Sequence, residues 1–386
     1  MNKAWNYCFK YLFCDKTNLF YDHLYSHEED GAISGLPSLE QINKQIPNPN
    51  GWSTGMEDSV ICGSMMLDCA MIKKDEDAIK KIVDGLFLCS DCSDEQGFIA
   101  RSVSPIDKKS HYSNSSRDQY THFVYSFTHL YFSTFCDEVT KQRINQTFID
   151  IATRMEKNVI FENNYEFLRE DEKNGLCFKM WGEIGKHEYL RLPMFYLAAF
   201  LTSKSEKYKD LYLKYRDEAL EKSCGIDYEK EPTAYPILQM QYSLKFIYDF
   251  DDDKSTKEKC KKLMEVAQKA FQQKAFEYYN ELLKCTDTLS YKYTPFYEQP
   301  AVYIGNIGGY EYNNHNQDIY PENKAYYLLR NIGDSVALSA STGIFDKELV
   351  EVVEKSASLI DYSNHYSNAP IYLLNGYWNM LGVKNG

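Results

Sequence analysis

Alternately short and long connections between helical segments constrain this 386-residue chain more than any other feature. Apolar residues recur with helical period over about 3–14, 57–73, 75–92, 118–134, 137–158, 188–203, 206–223, 233–249, 255–283, 323–341, 346–361 and 368–382. Alternating strand patterns are scarce. The gaps after 73, 134, 203, 249 and 341 are only a few residues long, whereas those before 57, 118, 188 and 323 run to roughly 25–40 residues. Short connections make antiparallel neighbours, and long loops inside a compact chain usually carry function. If all the long loops lie at the same end of alternate helices, they pile up on one face. The expected fold is therefore all-α, an (α/α)6 toroid of six helical hairpins in a single domain over residues 1–386. Its inner helices should be apolar all round, as SVICGSMMLDCAMI (59–72) and LPMFYLAAFL (192–201) are. Its outer helices should carry charge, as DEDAIKKIVD (75–84) does. An open helical solenoid is the rival architecture, but solenoids have uniformly short loops.

Composition narrows the function. A net charge of −13 opposes nucleic-acid binding, which rests on Lys and Arg neutralising phosphates. It leaves room for an anionic sugar, because one local Arg or Lys can hold a carboxylate. The 33 tyrosines offer flat apolar rings with a hydroxyl, a chemistry suited to sugar faces. Eleven cysteines in no tight framework read as reduced thiols, and Cys89-x-x-Cys92 has no second pair with which to hold zinc. No run of about 18 apolar residues exists, so no membrane partner is expected. The N-terminal residues lack a signal-peptide core, giving a cytoplasmic expectation, or periplasmic if a signal precedes them. Asn114 and Asn145 begin glycosylation-type triplets, a pattern common by chance.

The chemistry should gather where the long loops enter the inner helices. In PNPNGWSTGMED (47–58), Trp52 offers a platform for a sugar ring. Thr54 and Glu57 have capping-box spacing, which leaves Asp58 without a capping duty at the start of an apolar helix. Asp58 then serves either a substrate or an ion pair with a mouth arginine. In HYSNSSRDQYTH (111–122), Ser115 or Ser116 can cap, and Arg117, Asp118, Gln119 and His122 fill the first turns. Asp118 and His122, four apart, share a face. In KMWGEIGKHEYLR (179–191), Trp181, His187, Tyr189 and Arg191 surround a third start. The loop before Glu322 is rich in Tyr and Asn: Tyr297, Tyr303, Tyr310, Tyr312, Asn313, Asn314 and His315. The acidic run Asp249 to Asp253 lacks the Gly and distal Glu of a calcium loop and reads as a solvated turn.

With Gly55-Met56-Glu57-Asp58 and Arg117-Asp118-Gln119-Tyr120 in view, the chain resembles six-hairpin α/α-toroid enzymes acting on sugars, the unsaturated uronyl (glucuronyl or rhamnogalacturonyl) hydrolases in particular. The resemblance implies a glycoside hydrolase that takes an oligosaccharide, with a terminal uronic acid in the family's case, and needs no cofactor and no metal. Asp118 is then the acid/base and Asp58 its carboxylate partner, with His122 and Arg117 orienting them. Trp52, Glu57, Gln119, Trp181, His187, Tyr189 and Arg191 would line the substrate. Two other readings stay open: an epimerase or polysaccharide lyase using His122, His187 or Tyr189 as base, and a non-catalytic glycan binder. The sequence leaves the oligomeric state open.

Overall fold

Helices dominate the chain because its apolar residues fall on helical faces. The computed structural model describes residues 1–385 apart from 29, 232, 286–300, 308–309 and 316–322; side chains at 301–307, 310–315, 323 and 383–385 also lie outside the description. The described helices are α1 (Asn2–Tyr7), α2 (Leu39–Asn43), α3 (Ser59–Lys73), α4 (Glu76–Asp91), α5 (Arg117–Phe132), α6 (Glu138–Asn158), α7 (Arg191–Ser203), α8 (Glu206–Lys222), α9 (Tyr235–Phe250), α10 (Lys254–Leu282), α11 (Asn323–Ala340), α12 (Glu348–Ser358) and α13 (Ala369–Asn385). Each of the twelve expected segments overlaps one of them. The first is shorter than expected: α1 passes into a π-helical turn, Cys8–Leu12, and ends in β1 (Phe13–Cys14), which pairs with β2 (Leu19–Phe20). Among the described residues, no helix is long and apolar enough to cross a membrane.

Alternate helices touch in sequence: α3 packs on α5, α5 on α7, α7 on α9, α9 on α11, α11 on α13, and α13 back on α3. Of the helices between them, α4 lies against α3, α6 and α8 against α7, α10 against α9 and α11, and α12 against α13. The division of polarity follows this arrangement. In α3, twelve consecutive residues from Ser59 to Ala70 are buried, whereas in α8 only Tyr208, Tyr212, Ala219 and Leu220 are. A helix buried all round needs neighbours on every side, and α3 has them in α4, α5 and α13. Glycine sets the spacing of α11 and α13. A Cβ on Gly333 would sit 2.3 Å from the Tyr372 carbonyl oxygen, and one on Gly376 would sit 2.8 Å from that of Gly333. Only bare backbone permits this approach.

Three local expectations are corrected. Strands β3 (Ala301–Ile307) and β4 (Tyr310–His315) form an antiparallel hairpin in which Ile307 pairs with Tyr310, where a long loop was expected. The side chains of Tyr303, Tyr310, Tyr312, Asn313, Asn314 and His315, and all of Tyr297 and Glu322, lie outside the described residues. Thr54 and Glu57 do not cap α3. The Thr54 hydroxyl donates to the Gly51 carbonyl, the Glu57 carboxylate accepts from the Ser53 amide, and the helix starts two residues later with Asp58 as N-cap. Ser116 stands at the N-cap position of α5 but makes no side-chain cap, and the hydroxyls of Ser115 and Ser116 are both buried without a hydrogen-bond partner. The acidic turn, expected to be solvated, is so only in part, because Asp251 is buried. Asp251 takes the Tyr212 hydroxyl and Arg216, Asp249 pairs with Lys245, and Asp253 caps α10 through the Thr256 amide. All eleven cysteines are free thiols.

Candidate active site

The entrances of α3, α5, α7 and α9 converge through side-chain contacts between them. At α3, the segment after β2 supplies Asp22, whose Oδ2 accepts the backbone N–H of Glu57 (2.7 Å) and of Asp58 (3.1 Å), while its Oδ1 accepts from the Asn368 amide at 3.1 Å. This carboxylate thus ties down the turn that leads into α3 rather than the amides of the helix itself, whose N-cap is Asp58. Next to it, Asp58 Oδ1 accepts from Arg101 (3.2 Å) and Gln119 (3.0 Å), both of which also donate to the Glu57 carbonyl. Asp58 Oδ2 makes no bond to any described residue, and the side chain stays 18% exposed. The expected alternative, an ion pair with a mouth arginine, is therefore present, but with Arg101 rather than Arg117.

At α5 and α7 the charges alternate. Arg191 donates to Asp118 Oδ1 and lies 2.8 Å from Glu188 Oε2; Arg117 lies 3.0 Å from Glu188 Oε1 and donates to the Lys179 carbonyl. The Tyr235 hydroxyl, from the start of α9, donates to Asp118 Oδ2 at 2.6 Å. Arg330, partly exposed on α11, donates to the Tyr326 hydroxyl and lies over the Tyr372 ring at 4.3 Å. Its guanidinium has no carboxylate within ion-pair distance among the described residues.

Electrostatics divides the carboxyls into two groups. Burial pushes Asp22 up to about 7, and the charge of Asp58 adds to the rise. Burial, with Asp22 and Asp58 beside it, also raises Glu57 well above the usual carboxylate range. Burial would raise Asp118 too, but Arg191, Arg117 and the Tyr235 hydroxyl outweigh it and hold Asp118 well below that range. These neighbours run against the expected acid role of Asp118, because they favour its ionised form, whereas burial favours the protonated forms of Asp22 and Glu57. His122 is corrected as well. Its Nδ1 meets the Asp118 backbone carbonyl at 3.0 Å rather than the carboxylate, its Nε2 is buried without a partner, and burial keeps the ring neutral.

The other expected residues are partly dispersed. Trp181 packs edge-on against Tyr189 and Tyr215 of α8, so its ring serves packing rather than a sugar platform. Tyr189 donates to the Gly182 carbonyl with Lys222 over its ring. His187 Nε2 lies 3.1 Å from Glu188. Trp52 stays partly exposed in its turn, its amide donating to Asn48. Glu57 turns back toward Ser53 instead of lining substrate. Asp22, Arg101, Glu188, Tyr235, Arg330 and Asn368 were not foreseen. One signal was available: Arg330 interrupts the apolar face of YYLLRNIG, and a lone charge there needs a partner or a ligand.

One turn below Arg330, Asp334 is buried with neither carboxylate oxygen bonded, and burial lifts it to about 7. Its folded value lies above its unfolded one, so its contribution is full in acid and is lost as pH rises through about 7. Asp22 acts in the same direction. Chain stability should therefore fall between pH 4 and 8, and Asp334→Asn should remove on the order of a few kcal/mol of that fall. Urea unfolding of both proteins at pH 5 and pH 8 checks it; equal slopes would place Asp334 in an ordinary environment.

No protein-family model matches this chain, and neither a curated protein nor a solved structure matches it.

Proposed function

We propose that the chain is an (α/α)6 toroid, one domain, whose mouth hydrolyses a linkage in an oligosaccharide ending in a uronic acid. The cyclic contacts of α3, α5, α7, α9, α11 and α13 support the toroid. The observation that carries the chemistry is the split of the carboxyls: Asp22 and Glu57 raised behind Asp58, Asp118 held down opposite. Hydrolysis by two carboxyls needs one proton donor and one ionised partner. The roles are the reverse of the sequence expectation. Asp22, Glu57 and Asp58 hold protons as one cluster, and a leaving glycosidic oxygen takes one of them at the open Oδ2 of Asp58. Asp118 is the ionised partner that orients water or steadies positive charge on the sugar ring. Arg330, which makes no direct ion pair among the described residues, receives the uronic carboxylate; a planar guanidinium matches that group in two prongs.

Incubating the chain with neutral and uronic-acid-terminated oligosaccharides, read by mass spectrometry, tests the reading. Hydrolysis adds the mass of water across the cleaved products. A lyase leaves an unsaturated, ultraviolet-absorbing end, and an epimerase leaves the mass unchanged. His122, neutral with a free Nε2, is the observation favouring the lyase alternative. With a hydrolysed acidic substrate in hand, Arg330→Gln should raise its KM by about tenfold or more, the worth of a charge-assisted pair, and barely move that of a neutral analogue. Equal losses on both substrates would remove Arg330 from carboxylate recognition. No product from any oligosaccharide would remove the enzyme reading.

A further inference from the structure

The opposite ends of the same helices enclose a second cavity. The C-terminal halves of α3, α5, α9, α11 and α13 line a volume of about 390 Å³, away from the carboxyl cluster along each helix. We propose that this cavity is a binding site for a small organic ammonium ion, an alkylamine rather than an anion or a metal.

The wall offers free acceptor oxygens. Asp68, its side chain nine-tenths buried, pairs through Oδ1 with His129 Nδ1 at 3.1 Å, and its Oδ2 bonds to no described residue. The Asn379 amide nitrogen is spent on the Asn375 carbonyl and Oδ1, both at 2.8 Å, which leaves the Asn379 oxygen free. The Tyr125 hydroxyl makes no bond to any described residue, and its ring stacks on Tyr242 with centroids 4.3 Å apart. Lys245 is held in an ion pair with Asp249, and the Ser133 and Ser341 hydroxyls donate to the Leu130 and Leu338 carbonyls. A ligand that donates hydrogen bonds satisfies the free Asp68 and Asn379 oxygens. The helix ends add to the preference, because C-terminal turns carry the negative end of the dipole and favour cations. Met71, Ile72 and Ala337 give the rest of the cavity an apolar lining that suits a short alkyl chain. The volume lies within the range of small-molecule sites, at its lower end. Two side-chain ligands, Asp68 and His129, are too few for a metal, and no group of three exists among the described residues.

The probe is n-butylammonium, with butanol and butyrate as size-matched controls, titrated into the full chain by calorimetry. Saturable binding of the ammonium alone is expected. Asp68→Asn should weaken it at least about tenfold through loss of a charge-assisted bond. Ala337→Leu, which fills the cavity and leaves the Asp68–His129 pair intact, should do the same, so the test survives if Asp68→Asn fails to fold. Asp58→Asn should leave the affinity unchanged, which separates this cavity from the carboxyls of the mouth. Failure of the ammonium to bind, equal binding of butanol or butyrate, undiminished affinity in Ala337→Leu, or loss of binding in Asp58→Asn would overturn the site.

Discussion

Asp58→Asn should keep the wild-type fold and melting behaviour while turnover of a hydrolysed oligosaccharide drops by at least about 10²-fold, toward 10⁴-fold. Asn keeps an oxygen where Arg101 and Gln119 donate, so the hydrogen bonds that seat the residue can persist. What it loses is the ability to exchange a proton through the oxygen facing the mouth. Asp22 and Glu57 would still carry protons, but no exposed group would present them, since Asp22 is tied to three N–H donors and Glu57 to the Ser53 amide. The measurement is kcat on a single substrate for both proteins, with far-ultraviolet circular dichroism as the fold control. Near-normal kcat in the folded variant would sink the assignment and move the search to Tyr235, whose hydroxyl already donates to Asp118.

The helices were legible because their causes are local. The all-round apolar run in α3 and the charged faces of α4 and α8 lie in consecutive residues, so periodicity placed them to within a few positions. The β3–β4 hairpin was also locally encoded, since Gly308-Gly309 sits between β-branched and aromatic residues, a hairpin signature passed over in favour of a loop. The acid role, which we propose lies with Asp58 rather than Asp118, was illegible for a different reason. Asp58 and Asp118 both stand at helix starts, and nothing within a few residues distinguishes them. The distinction comes from Arg191, 73 positions beyond Asp118, and from Tyr235, 117 beyond it. The turn into α3 is held by Asp22, thirty-five residues before Glu57. Local pattern could mark the entrances as polar. Which carboxyl keeps a proton depends on charges brought together only by the fold.

The same reasoning makes Arg191 the residue whose loss should cost the fold most. Arg191 is almost fully buried between Asp118 and Glu188, and Arg191→Met should destabilise the chain by about 3–5 kcal/mol at pH 7, because removing one member of a buried ion pair strands its partners. Tyr235 and Arg117 would still touch Asp118 and Glu188 respectively, but neither replaces the guanidinium placed between the two carboxylates. The pH dependence separates charge from packing. Asp118 is held below its unfolded value, so its contribution is present above that value, near 3.8, and is lost as pH falls further. In the variant Asp118 can protonate more readily, so the gap between variant and wild type should narrow from pH 7 to pH 4. A packing defect would persist at both. Combining Arg191→Met with Asp118→Leu should recover part of the loss, since an apolar pair leaves one fewer stranded charge. Urea midpoints for the three proteins at both pH values decide the matter. A pH-independent deficit that Asp118→Leu fails to relieve would mean that Arg191 acts through its volume, and that the ion-pair network at the mouth contributes little to holding the entrances of α5 and α7 together.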